Sequence, residues 1–194
     1  MKKAIIGMGG FAREISCCIP EEITFFVEDN FINNGLPALP LSTFNENEYE
    51  VIVAVGDPKV RSRIVESLPP LTKFFSFVHP SASILSESVE IGEGCIICAG
   101  VIITTNVSIG CHCQLNILST VGHDTIIGDY FTTAPGAKIS GNCVIGNSVY
   151  VGTNSCVREK TTICSDVTIG LASGCVKDIQ NPGVYVGCPL RKIK

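Results

Sequence analysis

The sequence predicts a small α/β unit followed by a parallel β-helix. Three observations carry that reading. An apolar residue returns every six positions from Leu85 to Cys175, glycine recurs one place after it, and before residue 78 this beat is absent while short apolar strands alternate with helix-like segments.

The first element is a strand over Lys3 to Ile6, followed by Gly7-Met8-Gly9-Gly10 and a helix that begins at Phe11. Ile23 to Val27 reads as a second strand, closed by Glu28-Asp29. Glu50 to Val55 reads as a third, followed by Gly56-Asp57 and a helix over Pro58 to Leu68. Pro58 suits a first helical turn, where a missing N–H costs nothing. Strands alternating with helices imply a parallel, Rossmann-like βαβ unit. Pro69-Pro70 break it, and Lys73 to Phe77 reads as one more strand leading out. The expected division is an α/β domain over 1–77 and a β-helix domain over 78–194, opened by His79-Pro80.

In the second domain the apolar series runs Leu85, Ile91, Ile97, Ile103 and Ile109 through to Ile169 and Cys175, with Thr133 its one clearly off-type member. A period of six matches neither a helix nor a simple strand alternation. It matches a chain that turns a corner after each short strand and sends one side chain per face inward. Gly92, Gly110, Gly122, Gly128, Gly146, Gly152 and Gly170 follow the apolar positions. Glycine tolerates the backbone of a tight corner, so these residues are expected to mark the turns. Four places after the apolar position the residues are mostly small or β-branched, as at Val101, Cys113, Ala137 and Ser155. Such side chains fit a narrow core shared by three walls. Three hexads to a coil give a triangular prism of about five coils at the ~4.8 Å spacing of neighbouring strands. The tail from Asn181 to Lys194 loses the hexad and reads as an extended cap over the last coil.

Composition narrows the function. Charged residues are only 16% of the chain, which suits a solenoid that buries faces against neighbours. A net charge of -4 argues against wholesale nucleic-acid binding. No apolar run approaches the roughly 20 residues of a membrane span, and the chain starts directly on a strand with no visible cleavable signal. A cytoplasmic protein is expected. The eleven cysteines include a CxxC at Cys95 and Cys98. However, Cys95, Cys113, Cys143 and Cys175 fall on core positions, where free cysteine packs as a small hydrophobe. Neither a metal site nor a disulfide is expected.

Two motifs are candidates for chemistry. The glycine run after the first strand lets backbone approach a phosphate, with a carboxylate at the end of the second strand, Glu28 or Asp29, to bond a ribose or base. Its spacing is GxGG rather than GxGxxG, and a bare strand-to-helix turn reads the same way. The other motif is His123 beside Asp124, two places after the inward Val121 and so at an outward-facing corner. A carboxylate beside the ring fixes its tautomer and raises its basicity, which suits a general base. A plain surface pair has the same spacing.

A βαβ unit with GxGGxxRE, an uninterrupted hexapeptide β-helix, an HD pair in mid-helix and a Val186-Gly187-Cys188-Pro189 tail together resemble the sugar O/N-acyltransferase family. The resemblance covers nearly the whole chain. It implies a left-handed β-helix, a homotrimer, and acetyl-CoA in a groove between adjacent subunits. It implies His123 as general base and Asp124 as its orienting group, with Asn116 lining the active site. Gly9, Gly10, Phe11, Glu28, Asp29 and Gly56 match positions that touch the nucleotide sugar, and Thr132, Thr153 and Leu171 match CoA contacts. The characterised amino-sugar enzymes usually carry a His where this chain has Phe11, and tend to carry another where it has Thr132. The implied reaction is acetyl transfer from acetyl-CoA, without a metal, to the amino group of a nucleotide-linked amino-sugar for surface-glycan assembly. His123 takes the acceptor's proton, and a backbone N–H near Gly141 or Gly122 faces the oxyanion. The alternatives are O-acetylation of a sialic-acid-like sugar or polysaccharide unit, and a non-catalytic β-helix scaffold. The scaffold reading would suit a carbonic-anhydrase-like assembly, which needs three His around zinc. His112 and His123 lie off that spacing.

Overall fold

Apolar strands flanked by turn residues build a five-stranded parallel sheet at the start of the chain. Its elements are β1 (Lys2–Ile6), α1 (Gly10–Ser16), β2 (Ile23–Val27), β3 (Leu39–Pro40), β4 (Tyr49–Val53), α2 (Pro58–Ser67) and β5 (Lys73–Phe74). The strand order is β3-β2-β1-β4-β5. The chain runs outward from β1 to β3 and then crosses to β4, so the order reverses beside β1. The computed structural model describes residues 1–32 and 37–194, and these divide into two units, Met1–Ser76 and Phe77–Lys194.

In the first unit Ala4, Ile6, Phe26, Val51, Val53, Ile64 and Leu68 form the core. Phe26 meets the rings of Phe44 and Tyr49 edge-on, with centroids 5.5 and 5.2 Å away. Asp57 caps α2, accepting the backbone N–H groups of Lys59 at 2.9 Å and Val60 at 3.0 Å. Arg61 is fully buried. Its Nη1 donates to the carbonyls of Val55 at 2.6 Å and Gly56 at 3.3 Å, tying the β4–α2 turn to the helix that follows. The expected exit strand is divided in two. Lys73–Phe74 closes this sheet, whereas Phe77–Val78 opens a wall of the second unit.

That second unit is a left-handed parallel β-helix with walls of six, five and eight strands. Most strands are two residues long and pair with the strand eighteen residues away, as Ile102 with Thr120 and Ser108 with Ile126. Ile97, Ile103, Leu115, Val121 and Val151 are completely buried, as the six-residue beat requires. Leu85, expected as the first member of the series, is 64% exposed, because the opening coil is one residue out of step: Ile103 pairs with Ile84, and Leu85 stands one place past the inward position. Thr133, the off-type member, is also buried. Its Oγ1 accepts the N–H of Asn116 at 2.9 Å and lies 2.9 Å from the Ser119 hydroxyl, so its polar atom is satisfied inside the prism.

The turns correct one expectation. The left-handed residues do not lie one place after the apolar position but three places after it. Asn106, His112, Leu118, Asp124, Tyr130 and Asn142 belong to this column, with φ from 53 to 58°. The glycines one place after the apolar position serve another purpose. A Cβ at Gly122 would stand 2.6 Å from the Gly141 nitrogen, and one at Gly92 would stand 2.7 Å from the Cys111 nitrogen. They are needed because successive coils nearly touch there. The tail is also more ordered than an extended cap. Gly183–Val186 continues the eight-stranded wall in parallel, and Arg191–Lys192 folds back antiparallel on it.

Candidate active site

His123 and Asp124 lie at the corner between Thr120–Val121 of the six-stranded wall and Ile126–Ile127 of the five-stranded wall. Backbone bonds to the coils on either side fix them. Asp124 N–H donates to Thr105 at 3.1 Å, and Asn142 N–H donates to the His123 carbonyl at 2.7 Å. Asp124 takes the left-handed position, φ 57°, which bends its carboxylate back toward the preceding ring. His123 Nδ1 lies 2.7 Å from Asp124 Oδ2, and both side chains are about half exposed, at 56% and 46%. An ionised carboxylate only accepts, so Nδ1 carries the proton and Nε2 carries the lone pair. Among the described residues Nε2 has no hydrogen-bond partner. The Asp124 carboxyl is held below the usual carboxylate range, first by a hydrogen bond from Asn106 and then by His123. The His123 ring covers Gly141, where an added Cβ would meet Nε2 at 2.7 Å.

Asn116, Thr153 and Leu171 belong to a different corner, the one that follows the eight-stranded wall. Asn116 comes directly after Gln114–Leu115, while Thr153 and Leu171 follow Tyr150–Val151 and Val167–Ile169 one coil apart. Asn116 Oδ1 accepts the N–H of Ile117 at 2.8 Å. Thr153 and Leu171 are exposed, whereas Thr132 is buried in the wall between Gln114 and Tyr150. One chain therefore places the His–Asp pair and Asn116 at separate corners of one coil.

In the first unit, a cavity of about 540 Å³ opens at the carboxyl ends of the strands where their order reverses, and it is lined by residues that include Gly7, Met8, Gly9, Glu28, Phe31 and Arg63. Ligands of open α/β sheets bind at such a reversal. Gly7 has φ 109°, and a Cβ there would crowd the Ala54 carbonyl at 3.1 Å. Of the predicted residues, Gly9 and Glu28 line this cavity. Gly10 and Phe11 begin α1 next to it. Asp29 instead accepts the N–H of Ser42 at 3.1 Å, and the Gly56 carbonyl accepts from Arg61. Sequence reasoning missed Arg63, whose Nη2 reaches both Glu28 oxygens at 3.1 Å. Its one signal was its place on a helix face with Val60 and Ile64. Among the described residues no group of three or more His, Cys, Asp or Glu side chains could hold a metal ion, and no helix is long and apolar enough to cross a membrane. His112 is buried and stacks on Tyr130 with ring centroids 5.3 Å apart.

Residues 2–68 match the model of the PglD N-terminal domain. GDP-perosamine N-acetyltransferase of Escherichia coli O157:H7 is 33% identical over 175 residues, which cover 80% of this chain and 77% of that protein. The acetyltransferase domain of PglB from Neisseria gonorrhoeae superposes with a TM-score of 0.89 at 29% identity, covering 99% of both chains. PerB from Caulobacter crescentus, solved in complex with CoA and GDP-perosamine, superposes with a TM-score of 0.89 at 25% identity, covering 100% of this chain and 98% of that one. With the glycine-rich α/β unit, the unbroken prism and the His–Asp corner in one chain, the protein belongs to the hexapeptide-repeat sugar O/N-acyltransferase family.

Proposed function

We propose that this protein transfers an acetyl group from acetyl-CoA to the amino group of a nucleotide-linked amino-sugar, in the cytoplasm and for surface-glycan assembly. The observation that carries the proposal is the His123–Asp124 pair, with Nδ1 held at 2.7 Å and Nε2 left open. Relatives supply the substrate class. The Neisseria domain was also solved with acetyl coenzyme A, and the Caulobacter relative with CoA and GDP-perosamine.

The chemistry follows from the ring. Nε2 takes a proton from the attacking amine as its nitrogen adds to the thioester carbonyl, and Asp124 stabilises the imidazolium that forms. The thiolate of CoA leaves as the tetrahedral intermediate collapses. Of the two backbone donors at this corner, Gly122 N–H is engaged with the Ile139 carbonyl at 2.9 Å. Gly141 N–H has no partner among the described residues and lies beneath the His123 ring, so it is the better oxyanion donor. The cavity with Gly9, Glu28 and Arg63 takes the nucleotide end of the acceptor. Thr153 and Leu171, exposed at the corner that follows the eight-stranded wall, mark the path of CoA. A homotrimer completes the site, because Asn116 and His123 stand at separate corners and converge only if a second copy faces the first. Outward Ile102, Ile126 and Val144, each at least 40% exposed, supply apolar surface for that contact.

The test is release of the CoA thiol with a panel of nucleotide-linked amino-sugars and free sialic acids. Turnover is expected with a nucleotide-linked amino-sugar, and His123→Ala is expected to lower it by roughly 10²–10⁴-fold. Turnover confined to a sialic acid hydroxyl would select O-acetylation instead. An unaffected His123→Ala variant would remove the base assignment.

A further inference from the structure

The coil beneath the His–Asp corner carries a second layer of order. Asn106 lies eighteen residues before Asp124 and occupies the same left-handed position, with φ 53° against 57°. Its Nδ2 donates to Asp124 Oδ1 at 2.6 Å, while the other carboxylate oxygen, Oδ2, faces His123 Nδ1. The two oxygens thus have separate partners on opposite sides. Asn106 is itself anchored, since its backbone N–H donates to Ser88 Oγ at 2.8 Å. That hydroxyl lies 2.8 Å from Ser86 Oγ and 3.3 Å from Thr105 Oγ1. Asp124 also has somewhere else to turn. A groove of about 260 Å³, lined by Ser88, Glu90, Asn106, Ser108, Asp124 and Ile126 among others, opens beside it. Without the Asn106 donor, Oδ1 loses that hydrogen bond and the carboxylate can turn into the groove. Asn142, on the coil above, reaches toward the ring, with its Nδ2 3.5 Å from His123 Nδ1, rather than toward Asp124, so it does not substitute for Asn106.

We propose that Asn106 is a positioning residue for the transfer reaction, holding Asp124 in the rotamer that fixes the proton on His123 Nδ1 and leaves Nε2 free to act as the base. This rests on the reading of His123 as that base. The left-handed corner accepts alanine, as Ala172 shows with φ 49°, so Asn106→Ala is expected to keep the prism intact.

The experiment is a double-mutant cycle on thiol release from acetyl-CoA. Asn106→Ala is expected to lower kcat about tenfold, with the KM values of acetyl-CoA and acceptor unchanged within about twofold. In an Asp124→Ala background the same change is expected to cost nothing further. A loss of equal size in both backgrounds, or an unchanged kcat in the single variant, would overturn the proposal. Asn106→Asp supplies an independent readout. It replaces the donor by a carboxylate next to Asp124, and the two must then share a proton before the contact can form. Its turnover relative to the natural chain is expected to rise as pH falls, with Glu90 and His123 the other titratable groups facing the pair. A ratio that stays flat with pH would count against positioning. Should His123→Ala retain full turnover, the base assignment itself fails, which is a separate result from any of these.

Discussion

At the level of single residues, the His–Asp corner proposed for catalysis depends on one missing side chain as much as on those present. His123 rests over Gly141, and a Cβ there would stand 2.7 Å from Nε2. Gly141→Ala is therefore expected to displace the ring and cut kcat about 100-fold while the coil still forms, measured by turnover together with circular dichroism. The carboxylate yields a second prediction. Because the folded-state pKa of Asp124 is lowered, its stabilising contribution is present above the usual Asp range and lost as pH falls through the folded value. The gap in denaturation midpoint between the natural chain and Asp124→Asn should therefore be open at neutral pH and close in acid. His123 and Asp124 were legible because they are neighbours in sequence. Arg63 was not, because its partner Glu28 is 35 residues away and only the sheet brings them together.

Among the elements, the coil corners show how the same residue type answers two different physical demands. Gly92→Ala would place a Cβ 2.7 Å from the backbone of the next coil, and is expected to destabilise the prism by about 1–3 kcal/mol. Ala172→Gly acts at a left-handed residue, φ 49°, and is expected to stabilise it by up to about 1 kcal/mol. Chemical denaturation of both variants checks the opposite signs. The six-residue beat revealed the walls, since inward side chains must be apolar and the pattern records that directly. It misassigned the turn residue because clearance between coils and left-handed backbone both favour glycine. Most left-handed corner residues here are not glycine, which hid that column from composition. The tail hairpin was hidden for a related reason, since Arg191–Lys192 is exposed and carries no apolar signal.

For the molecule as a whole, two folding units serve two ligands in the proposed reaction. If Glu28 bonds the acceptor's nucleotide, Glu28→Gln is expected to raise the acceptor KM about tenfold and leave that of acetyl-CoA unchanged. Steady-state kinetics with each substrate varied separates the two. The α/β unit was legible from its strands and turn residues, and the cavity follows from the reversal of strand order. The contents of that cavity were less so, because Phe31 and Arg63 carry no motif. The pairing of strands eighteen residues apart, held from Glu90 to Cys175, has a further consequence. The β-helix keeps phase like a screw thread with three marks per revolution. A duplicated segment of eighteen residues adds one revolution and leaves every wall, corner and outward stripe aligned. A segment of six would carry everything beyond it round by one face, breaking the stripes on which a second copy would seat in the proposed trimer. Growth of this molecule by whole revolutions is therefore silent, and growth by a fraction of one is not.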